Sequence, residues 1–159
     1  MVLVLLGTQN NSFHRLLEEV QKNIDNGNIK EEVVVQKGYT KFESKDMKIY
    51  SQIPIEDLKK LVDESDLVIT HGGVGSILTA LEKNKKVIAV PRLKQYSEHV
   101  NDHQLDIVKS FNDAGYIIGL NSVEELGQAL ERVKEFVPEK YVKNTGNILK
   151  IIENFIDNN

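Results

Sequence analysis

Short runs of apolar residues alternate along this chain with longer stretches in which apolar positions recur every three or four residues. That alternation predicts parallel strands covered by helices, an α/β doubly wound domain with a Rossmann-like sheet of about six strands. Val2–Leu6 reads as a buried first strand. Phe13, Leu16, Leu17 and Val20 then follow at helical spacing, with Asn11 or Ser12 as the expected cap. Glu32–Gln36 and Met47–Tyr50 are the second and third strands, and Ile55, Leu58, Leu61 and Val62 mark the next helix, with Pro54 near its first turn. Asp66–Thr70 is the fourth strand, and the helix after it runs to about Lys83, where Asn84 suits a left-handed closing position.

Val87–Val90 is the fifth strand, ended by Pro91. A loop then leads into a helix expected to carry His99, His103, Leu105, Ile107, Val108 and Phe111. Tyr116–Gly119 is the sixth strand, Val123–Phe136 a further helix, and Pro138 breaks the pattern. A last amphipathic helix is expected over about 146–157, with Ile148, Leu149, Ile152, Phe155 and Ile156 on one face. That face is read as packing within the chain, with docking on a partner as the alternative. No repeat or long linker interrupts the pattern, so residues 1–159 are expected to form one domain.

Composition removes several function classes. A formal charge of −4, with lysines scattered rather than clustered, argues against a nucleic-acid binder. The absence of cysteine excludes disulfides and thiolate metal sites, and fits a reducing cytoplasm. No apolar stretch approaches the ~20 residues of a membrane span. The opening MVLVLLG has no basic n-region and turns polar after Leu6, so it is expected to be a strand and not a signal peptide.

In a doubly wound sheet, ligands bind beyond the carboxyl ends of the strands. Three polar loops converge there: Gly7-Thr8-Gln9 after the first strand, His71-Gly72-Gly73-Val74-Gly75-Ser76 after the fourth, and the stretch from Pro91 to His103 after the fifth. The glycine turn is not a dinucleotide fingerprint, because it follows the fourth strand and Leu78 stands at the third glycine position. It is not a P-loop, because no Gly-Lys-Ser/Thr follows. Two readings stay open on spacing alone: an anion site of first-turn amides with Ser76 as a hydroxyl donor, and a tight strand-to-helix turn that needs glycine dihedrals. His99 and His103 lie four apart, which on one helix would bring two imidazoles together. The third metal ligand would have to come from His14 or His71 on distant loops, so hydrogen bonding into a cleft is the expected role. No Asp-x-Asp occurs, so a bound diphosphate would rest on amides, hydroxyls and Arg92.

The order of these loops, GTQ, then HGGVGS, then PR and EHVNDHQ, resembles the C-terminal, donor-binding half of GT-B glycosyltransferases of the family 28 type. Within it the chain is most similar to the small soluble (PssE-like) subunits of bacterial two-component exopolysaccharide and capsule glycosyltransferases. A more distant likeness is the cytosolic subunit of the eukaryotic two-part UDP-GlcNAc transferase of the dolichol pathway. The resemblance implies a UDP-sugar site with no metal and no cofactor. Gly73, Gly75 and Ser76 would face the diphosphate, with His71, Gly72 and Arg92 beside them and Gly7, Thr8 and Gln9 lining the cleft. His103 and Gln104 would meet sugar hydroxyls, and Glu98, Asn101 and Asp102 would border that pocket. His103 and Glu98 are the candidates for a catalytic role on this chain. Several relatives hold the ribose with a glutamate where this chain has Thr79, and Glu82 is the possible stand-in.

The resemblance further implies an inverting hexosyltransferase completed by a membrane-anchored, acceptor-binding partner that presents a lipid-linked glycan at the inner face of the cell membrane. The donor would be UDP-galactose, UDP-GlcNAc or UDP-glucuronate, with β-1,4-galactosyl transfer as the family-level expectation. The alternatives are an accessory module that activates another transferase, or a stand-alone sugar-nucleotide epimerase, against which the short length argues.

Overall fold

The computed structural model describes residues 1–143 and 145–156. Six strands form one parallel sheet: β1 (Val2–Leu5), β2 (Val33–Gln36), β3 (Lys48–Tyr50), β4 (Leu67–His71), β5 (Lys86–Val90) and β6 (Ile118–Gly119). Their order is β3-β2-β1-β4-β5-β6. The central strands read as unbroken apolar runs because each is covered on both faces. Val2 stands level with Val33 of β2 and Leu67 of β4, and the β4–β5 register carries His71 opposite Val90.

Side chains alternate between two cores. On one face, Val4, Val35, Ile69 and Ile88 pack against Leu16, Leu17 and Val20 of α1 (His14–Asp25) and Leu126, Ala129 and Leu130 of α5 (Leu126–Arg132). On the other, Leu3, Leu5, Val68, Val87 and Ala89 meet four helices: α2 (Ile55–Glu64), α3 (Val74–Leu81), α4 (His103–Asp113) and α6 (Gly146–Ile156). Ile148 and Ile151 of α6 are buried in that second core, so this helix packs within the chain. Residue 157, the expected end of α6, lies outside the described residues.

After β1 the chain turns to α1 on one face, and after β4 it turns to α3 on the other. The two loops part at the switch of strand order and leave a crevice between them.

Several expected boundaries move. Asn11 and Ser12 do not cap α1; Phe13 holds the cap position, and its N–H donates to Thr40 Oγ1 at 2.9 Å. Asn84 does take the left-handed conformation, with φ of 56°. The expected helix over Val123–Phe136 is a 3-10 turn at Val123–Glu125 followed by α5, which stops at Arg132. The helix after β5 begins only at His103, so His99 lies on a loop and the two histidines do not share a helix. That loop holds a 3-10 turn at Lys94–Tyr96 and a left-handed Ser97, and side chains fix it: Lys94 N–H donates to Asp102 Oδ1 at 2.8 Å, and His103 N–H to Asn101 Oδ1 at 3.0 Å.

Candidate functional site

His71, the last residue of β4, is the centre of the crevice. Its imidazole is wedged between two glycines. A Cβ on Gly7 would lie 2.6 Å from His71 Nε2, and one on Gly73 would lie 2.4 Å from Cε1. Gly7 also has φ of +76°, so this position requires glycine on two counts. Gly72 is closed from another side, where a Cβ would come within 2.9 Å of Gln104 Cβ on α4. Gly7 and Gly73 are thus explained by close packing around one buried ring, and Gly72 by the approach of α4.

Gly75 differs. Nothing lies within 4 Å of the place its Cβ would occupy. It sits in the first turn of α3, where backbone N–H groups lack intrahelical partners and the helix dipole favours an anion. Ser76 follows it, partly exposed, with Oγ 3.3 Å from His71 Nε2. Thr79, one turn on, donates its hydroxyl to Gly75 O at 2.8 Å. Glu82 lies at the opposite end of α3, close enough to Tyr141 to help raise its pKa behind the main effect of burial, so it does not join this turn.

Beneath the crevice is a layer of polar side chains that face inward. Arg92 is 1% exposed, Glu98 2%, Gln104 4% and His71 7%. Arg92 was expected at the diphosphate. Instead its Nη atoms donate to three carbonyls: Leu6 O at 2.5 Å, Asn11 O at 2.7 Å and Glu98 O at 3.1 Å. The guanidinium ties the loop after β1 to the loop after β5, and its Nε has no partner among the described residues. Burial lowers its pKa to about 10, so it stays charged at neutral pH.

Glu98, expected at the border of the sugar pocket or in catalysis, also points inward. It receives a two-pronged ion pair from Arg15 of α1 (Nε to Oε2 2.7 Å, Nη2 to Oε1 2.9 Å) and the Leu93 N–H. Burial works against the Arg15 charge, but this carboxylate more than offsets it and raises the pKa. Tyr96 stacks 3.7 Å from the Arg15 guanidinium carbon. Gln104 is likewise engaged: its Oε1 accepts from Gly72 N (3.0 Å) and Arg92 N (3.1 Å), while its Nε2 faces His71 Nδ1 at 3.1 Å.

The outward-facing groups remain. Gly73, Val74, His99, His103, Ile107 and Phe155 surround, with Gln104, a cavity of about 390 Å³ between the starts of α3 and α4. His99 and His103 therefore share one cleft although only His103 is on a helix. Thr8 is exposed and Gln9 partly exposed on the loop after β1, and Asp102 is exposed at the start of α4. Asn101 is held by the His103 amide. Arg15, Val74, Ile107 and Phe155 are site residues that sequence reasoning did not single out. Helical spacing placed Ile107 and Phe155 on apolar helix faces, Val74 stood unremarked within the glycine turn, and nothing in the sequence joined Arg15 to Glu98, 83 positions away.

The polar groups thus separate into an inner scaffold and an outer surface able to receive a ligand carrying an anionic group and several hydroxyls. Two solved structures share the fold: MurG of Acinetobacter baumannii (TM-score 0.57, 20% identity, 83% of this chain and 41% of that one) and the kitacinnamycin glycotransferase (TM-score 0.60, 14% identity, 85% and 35%). The UDP-N-acetylglucosamine transferase subunit ALG13 of Candida albicans is 30% identical over 110 residues, 69% of this chain and 32% of its own length. Its counterpart in Candida glabrata is 33% identical over 93 residues, 56% of this chain and 45% of its own. The chain thus spans less than half the length of these relatives. Residues 1–158 match the glycosyltransferase family 28 C-terminal domain, and the chain belongs to that family, with a six-stranded parallel Rossmann-like sheet.

Proposed function

We propose that this chain is the donor-binding subunit of a UDP-sugar glycosyltransferase, holding the diphosphate without a metal and completed by a separate acceptor-binding subunit. The observation that carries this reading is the first turn of α3, where Gly75 is exposed with open space in place of a side chain and the adjacent Ser76 hydroxyl is partly exposed, a helix start whose amides would meet the diphosphate. In transfer, the acceptor oxygen attacks the anomeric carbon from the far side while the bond to the β-phosphate oxygen breaks. Charge grows on the leaving UDP, and fixed N–H and O–H dipoles at that point stabilise it without reorganising. His99 and His103 supply polar partners for sugar hydroxyls, and Val74, Ile107 and Phe155 form an apolar wall. With Glu98 locked to Arg15, the base that takes the acceptor proton belongs on the partner, and His103 is the residue of this chain nearest to that role.

UDP-GlcNAc is the donor favoured by the names of the relatives, which are UDP-N-acetylglucosamine transferase subunits. Those names lend no support to galactosyl transfer or to a role in capsule or exopolysaccharide synthesis. They also speak of a subunit, which supports a partner. We place that partner at the membrane, carrying a lipid-linked acceptor, with this chain recruited to its cytoplasmic face. Among the described residues no helix is long and apolar enough to cross a membrane.

Titration calorimetry with UDP, UDP-GlcNAc, UDP-galactose and UDP-glucuronate, with and without Mg²⁺, tests this. Binding of UDP and UDP-GlcNAc without Mg²⁺ is expected. No binding of any uridine nucleotide, even with the partner present, would sink the reading, and a strict Mg²⁺ requirement would remove its metal-free part.

A further inference from the structure

The hydrogen bonds of the inner layer fix where protons sit. Gln104 Oε1 faces two backbone N–H groups, Gly72 N at 3.0 Å and Arg92 N at 3.1 Å, and only an oxygen can accept both. The amide nitrogen of Gln104 must then be the atom 3.1 Å from His71 Nδ1. That nitrogen only donates, so Nδ1 accepts and carries no hydrogen. In a neutral imidazole the hydrogen is then on Nε2, the atom 3.3 Å from Ser76 Oγ. Burial, aided by the Arg92 charge, holds His71 neutral by lowering its pKa to about 3. Ser76 Oγ accordingly accepts from His71, and among the described residues it has no other partner. Its own hydrogen is left for a group outside the protein, beside the open face of Gly75.

We propose that Gln104 is a positioning residue: it locks His71 as the Nε2–H tautomer, and the tautomer makes Ser76 an obligatory hydrogen-bond donor toward an anionic oxygen entering the cleft. With the opposite tautomer the Ser76 hydroxyl would donate to Nε2 and offer that oxygen only lone pairs. The relay engages the Gln104 oxygen and one of its two amide hydrogens inside the protein, which leaves only the second hydrogen for a sugar hydroxyl. The identity of the oxygen, a diphosphate oxygen of UDP, rests on the reading given under Proposed function. The tautomer does not.

The test uses the full chain with ¹⁵N-labelled histidine. Long-range ¹H–¹⁵N correlation should show His71 Nε2 protonated and Nδ1 bare. Gln104→Glu replaces the donor at Nδ1 by a carboxylate oxygen, which can only accept, so the hydrogen should appear on Nδ1. UDP affinity should then fall about tenfold, the scale of one hydrogen bond to a charged group. Ser76→Ala should cost a similar factor and Ser76→Thr, which keeps the hydroxyl, less than about threefold. In the Ser76→Ala background the Gln104 substitution should change UDP affinity less than about twofold, because its route is gone.

An Nδ1–H tautomer in the unsubstituted chain overturns the proposal. So does an equal loss from Gln104→Glu with and without Ser76, or a tautomer switch with unchanged UDP affinity. If Gln104→Glu does not fold, the unsubstituted spectrum and the Ala–Thr pair at Ser76 still decide. A confirmed tautomer in a chain that binds no UDP overturns the ligand assignment and leaves the relay standing.

Discussion

Ser76 and Gln104 stand on the two helices that flank His71, and both belong to motifs that the resemblance assigns to the donor. Ser76 keeps a partly exposed hydroxyl beside the His71 ring. Gln104 spends its oxygen on Gly72 and Arg92 and its nitrogen on His71. Arg92 and Glu98 repeat the contrast against His99 and His103: chemically rich side chains from one loop divide into an inner set that fixes the loops and an outer set that lines the cavity. A motif seen as a unit in sequence is therefore two functions in space. Removing an inner residue should cost stability first, and removing an outer residue should cost binding with the fold intact.

The largest effect is expected at Arg92. Arg92→Ala leaves the carbonyls of Leu6, Asn11 and Glu98 buried without their donor and cuts the tie between the loops after β1 and β5. Each buried carbonyl left without its donor costs about 1–3 kcal/mol, so the three together should cost at least about 3 kcal/mol, read as a loss in urea or thermal unfolding. A loss below about 1 kcal/mol, the level of a surface pair, would break the division between the layers.

His71 gives the next effect through pH. Its folded pKa of about 3 lies below the ordinary 6.5. Between these values the unfolded chain binds the proton and the folded chain does not, so stability rises with pH in that window. The contribution is complete above pH 6.5 and falls by about 1.4 kcal/mol per pH unit as pH drops toward 3. His71→Asn should lower stability at pH 7, and the gap to the unsubstituted chain should narrow as unfolding is followed from pH 6 to pH 4. A gap independent of pH would mean that His71 is hydrated and belongs with the outer set.

A smaller loss is expected from Arg15→Ala. It leaves the Glu98 carboxylate with the Leu93 N–H alone. Arg15 is only partly buried, so water repairs some of the deficit and the cost should be about 2 kcal/mol. Glu98→Gln, which removes the charge but keeps the shape, should cost less. The reverse order would place the importance of the pair in Arg15 stacking on Tyr96.

Much of the sheet was legible because buried parallel strands leave an unmistakable trace: VLVL, VVVQ, LVITH and KVIAV each pair with a neighbour in register. The glycine turn was legible as a strand-to-helix turn between β4 and α3. The direction of Arg92 and Glu98 was not, because it depends on carbonyls and a guanidinium more than 80 positions away in the chain. The helical reading of His99 and His103 failed for a local reason. Asn101 and Asp102 use their side chains to bond nearby backbone amides, an arrangement that competes with helix until His103. Phe155 was read as core or docking surface, and only the packing of α6 over α4 brings it to the cavity.

Gly75→Ala should give the smallest change in stability and the sharpest separation of the two layers. Gly7, Gly72 and Gly73 each have a neighbour within 3 Å of a hypothetical Cβ, so alanine there must displace His71 or α4. Gly75 has open space and a helical position, where alanine ordinarily stabilises by about 0.5–1 kcal/mol. If its bareness serves only the turn, the variant should be at least as stable and bind UDP as before. If it keeps the first turn of α3 open to a diphosphate, the methyl group stands where the ligand must come, and UDP affinity should fall about tenfold while the unfolding midpoint holds or rises. Calorimetry and thermal unfolding on the one variant separate these outcomes. A stable variant with unchanged affinity would move the diphosphate away from α3.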